Sequence, residues 1–591
     1  MPVLMWLWSL IKSVLNAVAR VVVVTIVVAL ILVAVRLSAG DGLANNMVLS
    51  LDLRTPMEDK SAPSLLELTA SKLSIMDTVF GLDAAARDPR VKGVFLRLGT
   101  GDLSVAQAQE LRDALRRFKT ANKFVITHAQ SFYSGGLGDY ELAAISDQIW
   151  MQPVGAFFAA GTSGGTVFLK GLFDKFQAVP QFVQRYEYKN AADTFMQTDY
   201  TPAHREATTR VLQSWYDSAV ATIAADRMMT PAALVAILEE SPSSAEFVRE
   251  RGLINTIGYD DDAENAARGR AGAGARVTEF TEYLNKAATR PRNGGPVFAL
   301  VHAAGEIVEG EDKATLTGGG TGVAGDTFAE AVRAATRDSD VKAIVVRVDS
   351  PGGSAIASDQ ILDALKKARA AGKPVVVSMG SVAASGGYYI ALAADKIIAE
   401  PGTLTGSIGV VWGKFAIGQT LESLAGVHGG EIGIGKNALF LSGMQPWTED
   451  QMAEVNAQAD LVYEDFTRKV AEGRKLPLER VQEIARGRVW TGADARERGL
   501  VDELGGFWTA VDAAKTIADI DANTRVSFRD YPRREGLFQR VAGFFESSST
   551  AMATLQSLNM LVSSDVVQSL LSGIRAGEGG AQLRAVDLPA H

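Results

Sequence analysis

Residues 91–100 read VKGVFLRLGT and residues 341–350 read VKAIVVRVDS, so two related apolar segments lie 250 positions apart in the chain. Each is rich in Val, Ile and Leu, as is typical of a buried parallel strand, and each ends in a turn. The similarity continues downstream with small register changes, and RERGL at 249–253 recurs at 496–500. An ordered offset kept over this distance indicates an internal duplication.

Each copy alternates apolar strands with amphipathic helices, which predicts an α/β fold with two tandem homologous domains. We predict a first α/β repeat at residues 41–290 and a second at 291–530, separated by Gly-, Arg- and Pro-rich sequence. Residues 531–591 are expected to form a C-terminal extension with little charge. A docking or membrane-facing helix and a flexible tail both fit its apolar stretches.

The composition of the 591-residue chain excludes several kinds of site. Zero cysteines rule out disulfides, thiol nucleophiles and cysteine-bound zinc or iron–sulfur clusters. The five histidines are too dispersed for a local metal-binding motif, and the glycine runs lack the signature of a phosphate-binding loop. We therefore expect no metal and no cofactor. A net charge of −9 argues against nucleic acid as a partner.

The first 40 residues carry the signal of a transmembrane anchor. Residues 21–35 form an apolar run, and the apolar residues before it, with two interfacial tryptophans, extend it to membrane-spanning length. A cleaved secretory signal is the alternative, because small residues follow the run. Lys12 and Arg20 precede the run, so the positive-inside rule places the body outside the cytoplasm. The expected location is the inner (cytoplasmic) membrane, single-pass, with the catalytic body on the periplasmic side.

Two glycine turns in the second repeat follow predicted strands. A Val- and Ile-rich strand runs into DSPGGS (349–354), and the next strand runs into AASGGY (383–388). Ligands bind at the carboxyl ends of parallel strands, so Ser385 is placed like a nucleophile at the start of a helix. The N–H groups of Gly353 and Gly386 then offer an oxyanion hole. Ordinary tight turns, with Ser385 as a helix N-cap, are the alternative.

A resemblance to a known family is carried by several motifs in order. The second repeat contains SPGGS (350–354), AASGGYYIA (383–391), PGTLTGSIGVV (401–411) and WTGADARERGLVDELGG (490–506), and the first contains YKNAADTF (188–195) and TPAHREA (201–207). Together they resemble the signal peptide peptidases of the long, duplicated, membrane-anchored type. The resemblance implies the fold shared by Clp protease and crotonases, and a serine–lysine dyad with one member from each repeat.

Carried over by motif, the resemblance implies that Ser385 is the nucleophile, Lys189 the general base, and Ser407 the residue that orients the lysine. A lysine takes a proton from serine only when it is neutral, so burial must lower its pKa. At the offset of the duplication, Leu137 stands where Ser385 would be, which favours one active site per chain. Lys436, 51 residues after Ser385, fits the spacing in single-repeat relatives and is the alternative base.

The expected function is that of a membrane-anchored serine endopeptidase. It would degrade cleaved signal peptides and other hydrophobic peptides through an acyl-enzyme on Ser385, and the resemblance implies a homo-oligomer, expected to be a tetramer. Two alternatives remain open at this stage. One is a crotonase-like hydrolase or isomerase of acyl thioesters, which would not need Ser385, and the other is a catalytically silent membrane scaffold.

Overall fold

The computed structural model describes residues 41–60, 73–99, 103–132, 136–287, 294–312 and 322–532. The predicted anchor and the predicted C-terminal extension beyond residue 532 lie outside the described residues. Within those ranges, no single helix is long and apolar enough to cross a membrane. The helices Pro202–Asp226 and Pro231–Leu238 meet that criterion only together, as a pair bent by 111°.

The described elements follow the alternation expected from the sequence. In the first half the strands are β1 (Met47–Asp52), β2 (Val91–Leu98), β3 (Phe124–Ala129), β4 (Gln148–Met151), β5 (Ala156–Phe157), β6 (Val179–Arg185), β7 (Ser243–Ser244), β8 (Thr256–Ile257) and β9 (Arg276–Glu279). The helices are α1 (Ile75–Arg87), α2 (Val105–Lys119), α3 (Gly136–Ala143), α4 (Lys170–Lys175), α5 (Asp193–Met196), α6 (Pro202–Asp226), α7 (Pro231–Leu238), α8 (Ala245–Glu250), α9 (Asp260–Ala271) and α10 (Phe280–Lys286).

The second half repeats this order with longer central strands. Its strands are β10 (Val297–Ala304), β11 (Glu306–Val308), β12 (Gly322–Ala324), β13 (Val341–Ser350), β14 (Val375–Ala384), β15 (Lys396–Ala399), β16 (Leu404–Gly406), β17 (Val410–Ala416), β18 (Val489–Thr491), β19 (Glu503–Leu504) and β20 (Ser527–Tyr531). Its helices are α11 (Gly325–Arg337), α12 (Ala355–Ala370), α13 (Gly386–Ala391), α14 (Gly418–Ala425), α15 (Glu449–Arg474), α16 (Leu478–Ile484), α17 (Gly492–Glu497) and α18 (Phe507–Ile517).

Each half builds one main sheet. The first has the order β8-β4-β3-β2-β1-β9 and is parallel throughout. The second has the order β18-β16-β14-β13-β10-β20, with β15 beside β14 and β19 beside β15, and is parallel except for the β16–β18 pair. The related segments β2 and β13 hold equivalent central places. The predicted α/β class is confirmed, whereas the predicted domain bounds stay predictions.

One hydrophobic core cluster contains buried side chains from both halves, in addition to a cluster formed by the second half alone. The buried side chains of the shared cluster include Leu82 and Leu111 on helices of the first half and Val345 on a central strand of the second. Phe80 of α1 packs edge-to-face against Phe507 of α18, and the two ring centroids lie 5.2 Å apart. Because this apolar surface is continuous, the free energy that stabilises each repeat includes contacts made by the other.

A buried ion cluster joins the halves beside this core. Arg347 of β13 is only 2% exposed. Its Nη2 donates to Asp59 Oδ1 at 2.7 Å, and its Nη1 donates to Glu110 Oε2 at 2.7 Å and to Ser378 Oγ at 2.9 Å. Both carboxylates come from the first half, so one guanidinium from the second half pairs with two buried carboxylates across the contact between the repeats. Loss of one partner from such a cluster leaves the others charged and desolvated.

We predict that Arg347→Met lowers the free energy of unfolding of the full chain by about 3–5 kcal/mol, because Asp59 and Glu110 would lose their buried counter-ion. Arg333→Met is the matched control. It removes the exposed Arg333–Glu330 pair and should change stability by less than about 0.5 kcal/mol. Urea denaturation followed by circular dichroism measures both, and equal losses in the two variants would contradict the assignment.

Candidate active site

The ends of three neighbouring strands in the second sheet meet at one place. Strand β14 pairs with β13 through Ala383 and Ser350, and with β16 through Ala384 and Gly406. The residues that follow these strands are therefore neighbours in space. They are Ser385 after β14, the turn at 351–353 after β13, and Ser407 after β16, so parallel pairing alone gathers the predicted nucleophile, the oxyanion glycine Gly353 and the predicted orienting serine.

Ser385 occupies a sharp turn between strand and helix. Its backbone has φ 54° and ψ −117°, a sparsely populated conformation for a residue with a side chain. Its N–H donates to the Gly406 carbonyl at 2.9 Å, which fixes the turn against β16. Gly352 allows the close approach, since a Cβ on that residue would lie 2.8 Å from Ser385 Cβ. The strained turn places the serine at the N-terminal end of α13, where N–H groups favour negative charge.

The two predicted oxyanion glycines lie side by side next to Ser385. A Cβ added to Gly386 would lie 3.2 Å from the backbone nitrogen of Gly353. Gly386 opens α13, so its N–H has no acceptor within the helix. Gly353 forms an isolated β-bridge with Ile307 of β11. In this bridge the N–H of Ile307 donates to the Gly352 carbonyl at 2.7 Å and the N–H of Ser354 donates to the Ile307 carbonyl at 2.8 Å, so the N–H of Gly353 takes no part in it. The structure thus brings both N–H groups to the serine, and their role stays a prediction.

Lys189 reaches this place from the first half by strand pairing. Strand β6 of the first half pairs antiparallel with β17 of the second, with Arg185 opposite Val410. Lys189 lies four residues after Arg185, and Ser407 lies three residues before Val410. The pairing therefore brings Lys189 of the first repeat close to the serines of the second, although Lys189 and Ser385 are 196 residues apart in sequence.

The amine of Lys189 contacts both serines. Its Nζ lies 3.0 Å from Ser385 Oγ, 2.9 Å from Ser407 Oγ and 2.9 Å from the Ser407 carbonyl oxygen. The residue is 4% exposed, and burial lowers the pKa of Lys189 from its ordinary 10.5 to about 7. The cause is desolvation, which disfavours the charged ammonium. At neutral pH a large fraction of the amine is therefore neutral.

These contacts suit a neutral amine. A neutral lysine has two N–H donors and one lone pair, and the hydroxyl and carbonyl oxygen of Ser407 accept the two N–H groups. The lone pair then faces Ser385, whose hydroxyl can donate to it. Ser407 presents both oxygens to the amine from a backbone with φ 49°. The arrangement leaves the lysine one remaining interaction, the acceptance of a proton from Ser385.

Glu187 does not oppose the lowered pKa of Lys189. Its carboxylate accepts hydrogen bonds from Arg486 Nε at 2.8 Å and Arg486 Nη2 at 3.0 Å. The ion pair lies at the surface, with both side chains about half exposed. Proximity in sequence alone does not show whether this charge faces the amine, and the structure pairs it with an arginine of the second repeat.

The equivalent positions in the first repeat hold no such arrangement. Leu137, the counterpart of Ser385, is 2% exposed, and Ala159, the counterpart of Ser407 at the same offset, is completely buried. Lys436, the counterpart of Lys189, is 78% exposed and pairs with Asp450 at 3.2 Å. The structure thus brings Lys189 to Ser385 within one chain and leaves Lys436 on the surface.

Sequence reasoning missed one part of the site, the turn Arg486–Gly487–Arg488 that lies against the Lys189 backbone. Gly487 has φ +82° and stands within van der Waals contact of Lys189. A lone glycine between two arginines carries no local signal of this contact. Only Val489 separates the turn from the motif that begins at Trp490, and that motif was the nearest signal in the sequence.

Comparison with known proteins agrees with this geometry. The model of peptidase family S49 matches the chain twice, at residues 117–274 and 367–521, and the Clp protease model matches residues 321–403. Protease 4 of Salmonella typhi is 34% identical over 76% of this chain and 72% of its own length. Protease 4 of Haemophilus influenzae is 32% identical over 77% of this chain and 75% of its own length. The chloroplastic serine protease SPPA of Arabidopsis thaliana is 30% identical over 89% of this chain and 78% of its own length.

The double match agrees with the duplication read from the sequence, and its two segments lie one in each half of the structure. Each of the three relatives covers most of both repeats, so the similarity extends beyond the Clp-like segment of the second half. The chain is a serine protease of the signal peptide peptidase type, and it belongs to peptidase family S49.

Proposed function

We propose that this protein is a membrane-anchored endopeptidase that degrades cleaved signal peptides and other hydrophobic peptides, with Ser385 as nucleophile and Lys189 as general base. The observation that carries the proposal is the 3.0 Å contact between Lys189 Nζ and Ser385 Oγ, made by an amine whose pKa burial lowers to about 7. Neither a thioester-specific crotonase nor a silent scaffold would need this contact.

In the acylation step, the neutral amine of Lys189 takes the hydroxyl proton as Ser385 Oγ bonds to the carbonyl carbon of the scissile peptide. The carbonyl oxygen becomes an oxyanion, which the N–H groups of Gly353 and Gly386 stabilise. The ammonium of Lys189 then gives its proton to the leaving amine as the C–N bond breaks. The acyl-enzyme and the first product remain.

In the deacylation step, water replaces the leaving peptide. Lys189 takes a proton from the water as its oxygen bonds to the acyl carbon, and it returns a proton to Ser385 Oγ as the ester bond breaks. The free carboxylic product and the starting enzyme result. Ser407 holds the amine through both steps, because its two oxygens accept the N–H groups that do not take part.

We propose that residues 1–40 anchor the chain in the inner membrane and that the body lies on the periplasmic side. The apolar run and the positive charges that precede it support this arrangement. A membrane location places the enzyme where cleaved signal peptides remain after secretion, which is consistent with hydrophobic peptides as substrates.

The internal symmetry supports a homo-oligomer. Within the chain, β6 of the first repeat pairs with β17 of the second. At the offsets of the duplication, the counterpart of β17 is 162–168 and the counterpart of β6 is 426–432, and neither forms a strand here. Both segments are exposed and partly apolar, since Val167 is 73% exposed and Ile432 96% exposed. Pairing of 426–432 with 162–168 of the next chain would repeat the internal contact, and four such contacts would close the tetramer.

We expect Ser385→Ala and Lys189→Met each to lower kcat for a fluorogenic hydrophobic peptide by at least about 10²–10⁴-fold, because nucleophile or base is lost. Lys436→Met is the matched control and should keep the activity of the unmodified chain, since this lysine lies at the surface. Steady-state assays of the purified full chain in detergent measure kcat for each variant. Loss with Lys436→Met alone would overturn the assignment of the base.

The proposed base also predicts a pH profile. The reactive form of Lys189 is neutral, so kcat/KM should rise with pH, pass its midpoint near the pKa of about 7, and level off above about pH 8. A lysine with an ordinary pKa near 10.4 would instead give a rate that still increases about tenfold per pH unit at pH 9. A profile measured from pH 5.5 to 9.5 separates the two, and a continued rise at pH 9 counts against a buried base.

The oligomer is tested by charges in the proposed pairing segment. The double variant Val427→Asp with Ile432→Asp should convert the tetramer into monomers, because both side chains are exposed, at 48% and 96%, and the contact would bury them. Met228→Asp, at a side chain 93% exposed elsewhere, should leave the tetramer intact. Light scattering of the full chain in detergent gives the mass. An unchanged mass for the double variant would refute this pairing.

A further inference from the structure

The turn Arg486–Gly487–Arg488, called here the 486–488 turn, links the two segments that surround the amine of Lys189. It lies between α16 and β18 in the second repeat. Within the described part of the chain, its residues form no hydrogen bond with Ser385 or with the proposed oxyanion N–H groups. Its backbone instead forms hydrogen bonds with the segments that contain Lys189 and Ser407.

On one side, the turn holds the segment that leads into Lys189. The carbonyl oxygen of Arg486 accepts the N–H of Tyr186 at 3.1 Å and the N–H of Tyr188 at 3.2 Å. The side chain of Arg486 also pairs with Glu187, the residue between them. Three consecutive residues before the lysine are therefore tied to one residue of the second repeat.

On the other side, the same turn holds the segment of Ser407. The N–H of Ser407 donates to the Arg488 carbonyl at 2.8 Å, and the N–H of Gly487 donates to the Ile408 carbonyl at 2.8 Å. These bonds fix the backbone of Ser407, which presents its carbonyl and hydroxyl oxygens to the amine. The 486–488 turn thus sets the Lys189 and Ser407 segments relative to each other.

Gly487 is the point of closest approach. A Cβ on Gly487 would lie 2.3 Å from Lys189 Cβ, 2.5 Å from its backbone nitrogen and 2.6 Å from its Cα. These atoms are backbone or directly attached to it, so no flexible side chain can yield, and the backbone of Lys189 would have to move. The absence of a side chain at Gly487 therefore sets how deeply the lysine backbone sits against the second repeat.

We propose that the 486–488 turn is a positioning element for the general base. Gly487 leaves room for the Lys189 backbone, and the carbonyl oxygens of Arg486 and Arg488 fix the position of that backbone relative to Ser407. This inference rests on the proposed catalytic role of Lys189. It predicts that a change in the turn alters the chemical step and the titration of the base while substrate binding is kept.

The test is Gly487→Ala, with Gly372→Ala as the matched control. Gly372 has φ +80°, close to the +82° of Gly487, but a Cβ there meets no atom within 4 Å. Both alanines bear the same backbone strain, and only Gly487→Ala collides with the lysine. We expect Gly487→Ala to lower kcat by about 10²-fold with KM changed less than twofold, because a base displaced by about 1 Å costs this much. Gly372→Ala should retain the kcat of the unmodified chain.

The pH profile is the readout that a merely structural role would not move. Displacement of Lys189 exposes its amine to water, so the midpoint of the acid limb of kcat should shift upward in Gly487→Ala and stay unchanged in Gly372→Ala. Thermal unfolding followed by circular dichroism establishes that both variants fold.

A second pair of variants keeps the inference testable if Gly487→Ala does not fold. Arg486 has φ 55° and Lys475 has φ 54°, so glycine relieves the same strain at either residue. Arg486→Gly also removes the ion pair with Glu187 and loosens the turn, so kcat should fall several-fold and the acid limb should move upward. Lys475→Gly should match the unmodified chain in both.

The outcomes separate the two levels of the proposal. If Lys189→Met is inactive while Gly487→Ala folds and keeps the kcat and pH profile of the unmodified chain, the positioning role is overturned and the dyad stands. If Gly487→Ala does not fold, an unchanged kcat and profile in Arg486→Gly overturns the positioning role in the same way. Full activity in Lys189→Met would instead refute the proposed function itself.

Discussion

The burial of one amine is the constraint on which the site depends. Lys189 is withdrawn from water between the two repeats, and desolvation alone lowers its pKa to about 7. Burial lowers the pKa of Lys189 without help from a neighbouring positive charge. The guanidinium of Arg486 is paired with Glu187 at the surface. What the protein must supply is a dry location with two acceptors for the N–H groups and one hydroxyl for the lone pair, and Ser407 and Ser385 supply these.

The duplication explains how such a location is built. The first repeat brings the lysine to the strand ends of the second sheet, because β6 of the first repeat pairs with β17 of the second. The repeats then differ in what they keep. Leu137 and Ala159 fill the positions of the two serines in the first repeat, and the counterpart lysine of the second repeat is exposed. The shared core and the Arg347 cluster hold the halves in the register that the contact requires.

Much of the fold follows from the sequence, because it is encoded locally. The Val- and Ile-rich segments, the glycine turns after them and the constant offset predict two parallel α/β repeats, and the glycine turn places Ser385 at a strand end. The partner of Ser385 is not encoded in this way. Lys189 and Lys436 are equivalent by internal offset, and only the resemblance to a family favoured Lys189. Which of them is buried depends on strand pairing between distant segments, as with β6 and β17.

Other features are invisible to sequence reasoning for the same reason. Asp59, Glu110 and Arg347 are ordinary charged residues in the sequence and become a buried cluster only when the repeats pack. Gly487 is one of 57 glycines, and its contact with Lys189 has no local pattern. In both cases the chemistry depends on tertiary contacts that local patterns do not specify.

The most direct measurement is the titration of the amine itself. The full chain is labelled with ¹³C at the ε-carbon of lysine, and the resonance of Lys189 is assigned by its absence in Lys189→Met. Its chemical shift followed by NMR between pH 5.5 and 11 should show a midpoint near 7, because burial disfavours the ammonium. A midpoint near the 10.4 of an exposed lysine would contradict the central claim that burial between the repeats makes Lys189 a base.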